Sequence, residues 1–210
     1  YQDYATYFVK WVQAFNAEGI DIYAVTPQNE PLNRGNSASL YMSWEEQRDF
    51  VKTALGPKFK TAGLATKIYA YDHNYDYSDI ATEKNYPGKM YEDAAASQYL
   101  AGAAYHNYGG NREELLNIHK AYPEKELLFT ETSIGTWNSG RDLSKRLLED
   151  MKEVALGTIN NWCRGVIVWN LMLDNDRAPN REGGCQTCYG AVDISNSDYK
   201  TIIRNSHYYI

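Results

Sequence analysis

The pattern of apolar and polar positions alternates between helical and extended periodicity along most of the chain. Residues 1–19 carry apolar or aromatic side chains three and four positions apart, and Gly19 then follows as a helix C-terminal cap. Short apolar runs bounded by polar residues predict strands, and Gly56-Pro57 is expected to end the second helix. The predicted strands are 20–26, 66–72, 102–110, 126–133 and 165–173, and the predicted helices are 1–19, 39–55, 94–100, 112–123 and 141–162.

Helices and strands that alternate with short connections predict an α/β protein with a parallel sheet. The continuous apolar run at 165–173 is typical of a strand buried on both faces. An open doubly-wound sheet and part of a (β/α)8 barrel share this element order. The sequence has no G-x-G-x-x-G turn, and every predicted strand ends in polar or aromatic residues, as barrel active sites require. We therefore expect residues 1–210 to form one partial (β/α)8 TIM barrel domain.

Composition and charge narrow the classes of partner. The chain has 210 residues and a net charge of -6, which argues against nucleic acid, because phosphate binding needs clustered Lys and Arg. No apolar run reaches the length of a membrane span. The 19 Tyr and 5 Trp supply flat faces with polar tips, as sugar-binding clefts do, although packing on a core also explains such residues.

The cysteines and one acidic segment raise the question of metal binding. Cys163 begins an apolar run and is predicted to be an inert buried thiol, whereas Cys185 and Cys188 form a C-x-x-C pair in a Gly-rich loop. Zinc usually needs a second pair, and the position in a Gly-rich loop favours a disulfide, with free thiols as the alternative. Residues 72–83 have oxygen ligands at calcium-loop spacing, but Tyr77 stands where the loop needs glycine. We therefore expect no metal and no other cofactor.

Polar or aromatic side chains follow each of the five predicted strands. In order, these groups are Asn29-Glu30, Asp72-His73-Asn74, His106-Asn107-Tyr108, Glu131 and Trp169-Asn170. Glycoside hydrolysis needs two carboxylates that flank the bond, one to donate a proton and one to attack or to activate water. Glu30 and Glu131 are the candidates, and a separation of roughly 5 to 5.5 Å would make the enzyme retaining.

The ordered stretches "TPQNEP", "HNYGG", "FTETS" and "VWNLMLD...APN" resemble the strand-end motifs of glycoside hydrolase family 30, a family of retaining (β/α)8 glycosidases. The resemblance covers essentially the whole chain. It implies that Glu30 is the general acid/base, that Glu131 is the nucleophile and that Asn29 contacts the sugar 2-hydroxyl. We then expect the nearby charge of Glu131 to raise the pKa of Glu30.

The same resemblance implies substrate contacts at later strand ends. His106 and Tyr108 match a His-x-Tyr pair whose Tyr hydrogen-bonds the nucleophile, and Trp169 matches an aromatic platform under the sugar. Trp137 is expected to line the cleft. For all four residues a purely structural role is the alternative. Asp72 and Asn74 are expected to support the site by hydrogen bonds, and they contact substrate only in the alternative.

Two longer segments, "GGCQTCYGAVDI" and "RNSHYYI", resemble the branch of the family with β-1,6-glucanases and relatives of glucosylceramidase. The implied function is retaining hydrolysis of β-1,6-glucan by an extracellular, periplasmic or cell-surface enzyme. A β-glucosidase or glucosylceramidase type of activity on a β-glucoside is the alternative within the family. A sugar-binding or structural fragment without turnover is the alternative from another class.

The number of strands bears on activity. A complete (β/α)8 domain typically needs about 250 residues, and the five predicted strands correspond to strands four to eight. Five strands cannot close a barrel and leave two unpaired edges. We expect a second chain or the missing part of the same protein to complete the barrel, and we expect the isolated 210 residues to be inactive or poorly stable.

Overall fold

A computed structural model describes residues 1–35, 40–76, 80–182 and 184–205, and it contains a five-stranded parallel sheet. The strand order follows the chain order without reversal. A doubly-wound sheet would reverse its order at a switch point, so this order is the singly wound order of a barrel. The strands are β1 Ala24–Val25, β2 Lys67–Asn74, β3 Leu100–His106, β4 Glu126–Glu131 and β5 Cys163–Val166.

Helices cover one face of this sheet and bury the core against it. The buried core side chains include Val12 of the first helix, Phe50 of the second, and Tyr105 and Phe129 of the sheet. No helix in the described parts of the chain is long and apolar enough to cross a membrane. The helices are α1 Gln2–Ala17, α2 Trp44–Phe50, α3 Gly56–Thr61, α4 Tyr86–Glu92, α5 Ala94–Ser97, α6 Glu113–Ala121, α7 Leu143–Asp150 and α8 Leu156–Ile159.

The second helix does not end at Gly56-Pro57 as predicted. A π-helical turn, Val51–Leu55, joins α2 to α3, and the helix continues to Thr61. Pro57 lies in the first turn of α3, where a missing N–H is tolerated. The ring of Tyr99 lies 2.2 Å from the place a Cβ of residue 56 would occupy, so the glycine serves close packing. The predicted start of this helix at residue 39 lies outside the described residues.

The two edge strands of the sheet are shorter than predicted. Within the described residues β1 pairs only with β2, and β5 pairs only with β4, so neither is held on both sides. The prediction that 165–173 is buried on both faces is wrong, because Ile167 is 57% and Leu171 76% exposed. After Val166 the regular pairing ends, and the chain keeps isolated backbone contacts with β4 and its extension, through Ile167 and Trp169.

A small second sheet, which the sequence did not predict, follows β5. It consists of β6 Met172–Asp174, β7 Val192–Ile194 and β8 Ile202–Arg204, with β6 and β7 parallel and β8 antiparallel. Cys185 and Cys188, between β6 and β7, form the predicted disulfide, and Cys163 is a buried free thiol as expected. Tyr77, which decided against a calcium loop, lies outside the described residues.

Candidate active site

Glu30 is fixed at the carboxyl end of β1 by its backbone. Its φ of +45° is left-handed, and its N–H donates to the carbonyl oxygen of Asp72 at 2.9 Å. Asp72 itself has a φ of +66°, next to a register shift between β2 and β3. Left-handed backbone costs free energy for residues other than glycine and tends to cluster at functional sites. The turn leaves Glu30 only 7% exposed.

Glu131 ends β4 and faces Glu30. One carboxylate oxygen of Glu30, one of Glu131 and one ring nitrogen of His106 all lie within 4.8 Å of one another. The hydroxyl of Tyr108 is 3.0 Å from Oε1 of Glu131 and 3.0 Å from Oγ of Ser133. Because parallel strands end at the same edge of a sheet, residues a hundred positions apart meet here.

His106, at the end of β3, lies between two carboxylates. Its Nε2 is 3.0 Å from Oδ1 of Asp72 and its Nδ1 is 3.3 Å from Oε1 of Glu30. Burial lowers the pKa of His106, but the hydrogen bonds to Asp72 and Glu30 outweigh burial and raise it to about 9. Asp72 also accepts hydrogen bonds of 2.6 Å from the hydroxyls of Thr26 and Thr130. At neutral pH His106 is therefore an imidazolium, a cation directly against Glu30.

This cation and burial together place the pKa of Glu30 below its ordinary value and that of Glu131 above it. Burial opposes ionisation of Glu30, yet the hydrogen bonds from His106 and from Asn33, whose Nδ2 donates to Oε2 at 2.7 Å, lower its pKa overall. Burial raises the pKa of Glu131, the charge of His106 opposes this, and the charge of Glu30 adds to it. The expectation that the pKa of Glu30 is raised was wrong, because it considered only the two carboxylates.

A cleft of about 570 Å³ opens above the two glutamates. Asn29, Tyr108 and Trp169, three of the residues predicted to contact substrate, line it. Asn29 is exposed. The backbone N–H of Trp169 donates to the carbonyl oxygen of Thr132 at 2.9 Å, which holds this residue in place. The other lining residues are Glu30, Asn33, His73, Asn74, Glu131, Ser133, Gly184 and Cys185.

Residues 1–200 match the sequence model of the glycosyl hydrolase family 30 TIM-barrel domain. The chain belongs to glycoside hydrolase family 30. An endo-1,6-β-D-glucanase of Trichoderma harzianum is 37% identical over 203 residues, which cover 93% of this chain and 38% of that protein. The chain spans about two fifths of the length of the curated relatives it matches.

Two solved structures are similar over nearly the whole chain. The endo-β1,6-glucanase BT3312 is 90% identical with a TM-score of 0.94, over 99% of this chain and 46% of that chain. SrfJ from Salmonella typhimurium is 25% identical with a TM-score of 0.81, over 99% of this chain and 45% of that chain. With the strand order, these findings confirm the predicted partial (β/α)8 barrel of family 30.

Two predicted contact residues of the family 30 site do not line the cleft. His106 is 1% exposed and lies beneath Glu30. Both of its ring nitrogens face carboxylates, one of Asp72 and one of Glu30, so neither is available to substrate. Trp137 packs its ring over Gly135, where an added Cβ would come within 1.7 Å of the ring. In the described structure His106 therefore orients Glu30, and Trp137 packs against the backbone of the loop after β4.

Asn33 and Ser133 of the cleft were not singled out from the sequence, and His73 was named only as a strand-end residue without a role. His73 is buried, its Nδ1 accepts the N–H of Asn74 at 2.8 Å, and burial lowers its pKa to about 4, so it is neutral. Asn33 reaches Glu30 from three positions later, a spacing typical of a turn. Ser133 is the serine of "ETS", two positions after Glu131. Asp72 lies beneath the site and supports it, as expected.

Glu30, His106 and Glu131 together offer the donor atoms of a metal site. A histidine ligates a metal through a neutral ring nitrogen with a free lone pair. Here one ring nitrogen of His106 faces Asp72 and the other faces Glu30, and its raised pKa keeps both protonated at neutral pH. The trio therefore fits a charge-paired acid site better than a metal centre.

Proposed function

We propose that this site hydrolyses β-glycosidic bonds with retention of configuration and that its substrate is β-1,6-glucan. The observation that carries the proposal is the close approach of Glu30 and Glu131, whose nearest carboxylate oxygens lie within 4.8 Å. Retaining glycosidases separate their carboxyl groups by roughly 5 to 5.5 Å, whereas inverting enzymes need about 6.5 to 9.5 Å to admit a water. The spacing supports direct attack by one carboxylate.

The choice of glucan rests on similarity. The fold and the two carboxylates do not select a leaving group, so the relatives carry this part of the argument. The 90% identity to BT3312 and the 37% identity to the Trichoderma harzianum enzyme, both named endo-β-1,6-glucanases, favour β-1,6-glucan. A glucosylceramidase or β-glucosidase type of activity is the alternative in the same cleft.

The reaction has two steps. Glu131 attacks the anomeric carbon while Glu30 donates its proton to the glycosidic oxygen, which breaks the bond to the leaving sugar. Glu30, now ionised, takes a proton from water, and the resulting hydroxide displaces Glu131 from the anomeric carbon. The roles follow the family resemblance, and the contact of Tyr108 with Glu131 supports them, because it orients the attacking carboxylate.

Substrate binding and the charge that develops during the first step favour a protonated Glu30 and an ionised Glu131. A glycosidic oxygen beside Glu30 accepts a hydrogen bond only from the protonated acid, so binding favours the proton on Glu30. Positive charge that develops at the anomeric carbon favours an ionised Glu131. These effects oppose the pKa shifts of the protein without substrate, in which the pKa of Glu30 is lowered and that of Glu131 is raised.

Three cleft residues have proposed binding roles. Asn29 can hydrogen-bond the sugar 2-hydroxyl with its neutral amide without disturbing the charges nearby. Trp169 offers its indole face as a platform under the sugar ring. Tyr108 has a single proton, so its hydroxyl donates either to Glu131 or to Ser133 at any moment.

We also propose that residues 1–210 act as one domain inside a larger assembly that completes the sheet. The single-sided pairing of β1 and β5 supports this, whether the additional strands come from the same polypeptide or from a second chain. The Cys185–Cys188 disulfide supports an oxidising location such as the cell exterior, periplasm or cell surface.

The proposal is tested by following pustulan, a β-1,6-glucan, with proton NMR during its hydrolysis by the full-length gene product. The β-anomer of the new reducing end should form first and the α-anomer later by mutarotation. Early α-anomer contradicts retention, and an enzyme that cleaves aryl β-glucosides but not pustulan contradicts the substrate. The 210-residue chain assayed alongside tests the need for completion, which strong activity of that chain would refute.

A further inference from the structure

One wall of the cleft contains a disulfide-bonded residue. Gly184 and Cys185 line the cleft together with Glu131 and Trp169. Cys185, which is half-buried, forms a disulfide with Cys188, which is fully buried. The disulfide therefore joins a residue of the cleft wall to a residue fixed in the interior.

Cys188 is fixed by the chain segment that continues β4 beyond Glu131. Residues 187–189 and residues 134–136 form an antiparallel bridge, with backbone N–H to carbonyl oxygen distances of 2.7 and 3.1 Å. The loop of the disulfide thus has one end in the cleft wall and the other end paired with the extension of the strand that carries Glu131.

The same extension is linked to the reacting carboxylate through the hydroxyl of Tyr108. Ser133 pairs with Trp169 in a parallel bridge, and its Oγ is 3.0 Å from the hydroxyl of Tyr108. That hydroxyl is in turn 3.0 Å from Glu131. The extension is therefore held between the platform residue and the disulfide loop, so the loop borders the half of the cleft that belongs to Glu131.

We propose that the Cys185–Cys188 disulfide is a positioning element for substrate, which holds the wall at residues 184–185 in place beside Glu131. The inference rests on the proposed glucanase function. A short loop closed by a disulfide has little conformational freedom. When the S–S bond is opened, the wall is released and glucan binding must order it again, which weakens binding. Dithiothreitol performs this opening: it leaves two cysteine thiols and becomes a cyclic disulfide.

The test measures kcat and KM for pustulan with the full-length gene product, before and after treatment with dithiothreitol. We expect reduction to raise KM about tenfold, equivalent to about 1.4 kcal/mol of binding free energy. Because the loop does not touch the reacting atoms, kcat should stay within about twofold. Reoxidation should restore the original KM. The Cys185→Ser/Cys188→Ser variant should match the reduced enzyme and should not respond to dithiothreitol.

Gln186→Ala is the matched control, because Gln186 is exposed in the same loop and its replacement leaves the disulfide intact. A purely structural role would lower the Tm and the active fraction without changing KM. An unchanged KM in both the reduced enzyme and the double serine variant overturns the inference.

A second readout separates this inference from the proposed function. Calorimetric titration of Glu131→Ala with pustulan gives a Kd without turnover, and that Kd should rise about tenfold on reduction. If the oxidised wild type fails to hydrolyse pustulan while Kd still responds to reduction, the proposed function fails and the positioning role stands. If pustulan does not bind in either redox state, both fail.

Discussion

Asp72→Asn is the perturbation that isolates the charge pair beneath Glu30. Asp72 is buried and faces His106 at 3.0 Å. The pKa of His106 is about 9 against an ordinary 6.5. One pKa unit is worth about 1.4 kcal/mol, so the raised pKa of His106 corresponds to about 3 kcal/mol of folding free energy. Removal of one partner from a buried ion pair costs a comparable 3–5 kcal/mol or so, since the other charge remains buried.

The sign of the pH dependence follows from the raised pKa of His106. Its stabilising contribution is complete below about pH 6.5, declines as the unfolded chain loses its proton, and is lost above about pH 9. Urea unfolding of the full-length gene product at pH 6 and pH 10 measures this. The free energy of unfolding of Asp72→Asn should be lower than that of the wild type by about 3 kcal/mol at pH 6, and the gap should shrink toward pH 10.

Thr130→Val is the matched control, because it removes one neutral donor to Asp72, at 2.6 Å, and leaves the charges in place. It should cost about 1 kcal/mol with little dependence on pH. A gap between wild type and Asp72→Asn that is equal at pH 6 and pH 10 would refute the ion pair as its cause.

Three further predictions concern the glutamates and the packing. Tyr108→Phe removes a hydrogen bond that lowers the pKa of Glu131, so kcat/KM should fall about 10- to 100-fold, and its basic limb, which follows the higher pKa of the pair in the free enzyme, should move to higher pH; a loss under twofold contradicts this. Asn33→Ala removes a donor that lowers the pKa of Glu30, so the acidic limb of kcat/KM, which follows the lower pKa of the pair in the free enzyme, should move to higher pH; an unchanged or falling limb counts against it. Gly56→Ala should lower the free energy of unfolding by about 1–3 kcal/mol in urea denaturation, and an unchanged value argues against close packing there.

One rule about parallel sheets was enough to predict several of the cleft residues from the sequence. Parallel strands end at one edge of a sheet, so polar residues at strand ends predicted that Glu30, Glu131, Tyr108 and Trp169 would share a site. All four line the cleft. The order of elements, without a dinucleotide-binding turn, likewise predicted the barrel type of sheet.

What the sequence could not predict depends on contacts between distant elements. The pKa order of the glutamates depends on the burial of Glu131 and on His106, which touches residues after β1 and in β2 at once, and no local pattern encodes that arrangement. The helix across Gly56 depends on an aromatic ring from another segment. The apolar run after β5 looked like a central strand, but burial is a property of its neighbours in the sheet, and Leu171 is exposed.

Azide rescue tests the assignment of Glu131 as nucleophile and Glu30 as acid/base most directly. The substrate is an aryl β-gentiobioside with an activated leaving group, and Glu113→Ala, an exposed glutamate of α6, is the control that should keep wild-type activity. With azide, Glu131→Ala should give the α-glycosyl azide by a single displacement, and Glu30→Ala should give the β-glycosyl azide by attack on the glycosyl-enzyme. The opposite pair of products, or the same anomer from both variants, would contradict the assignment.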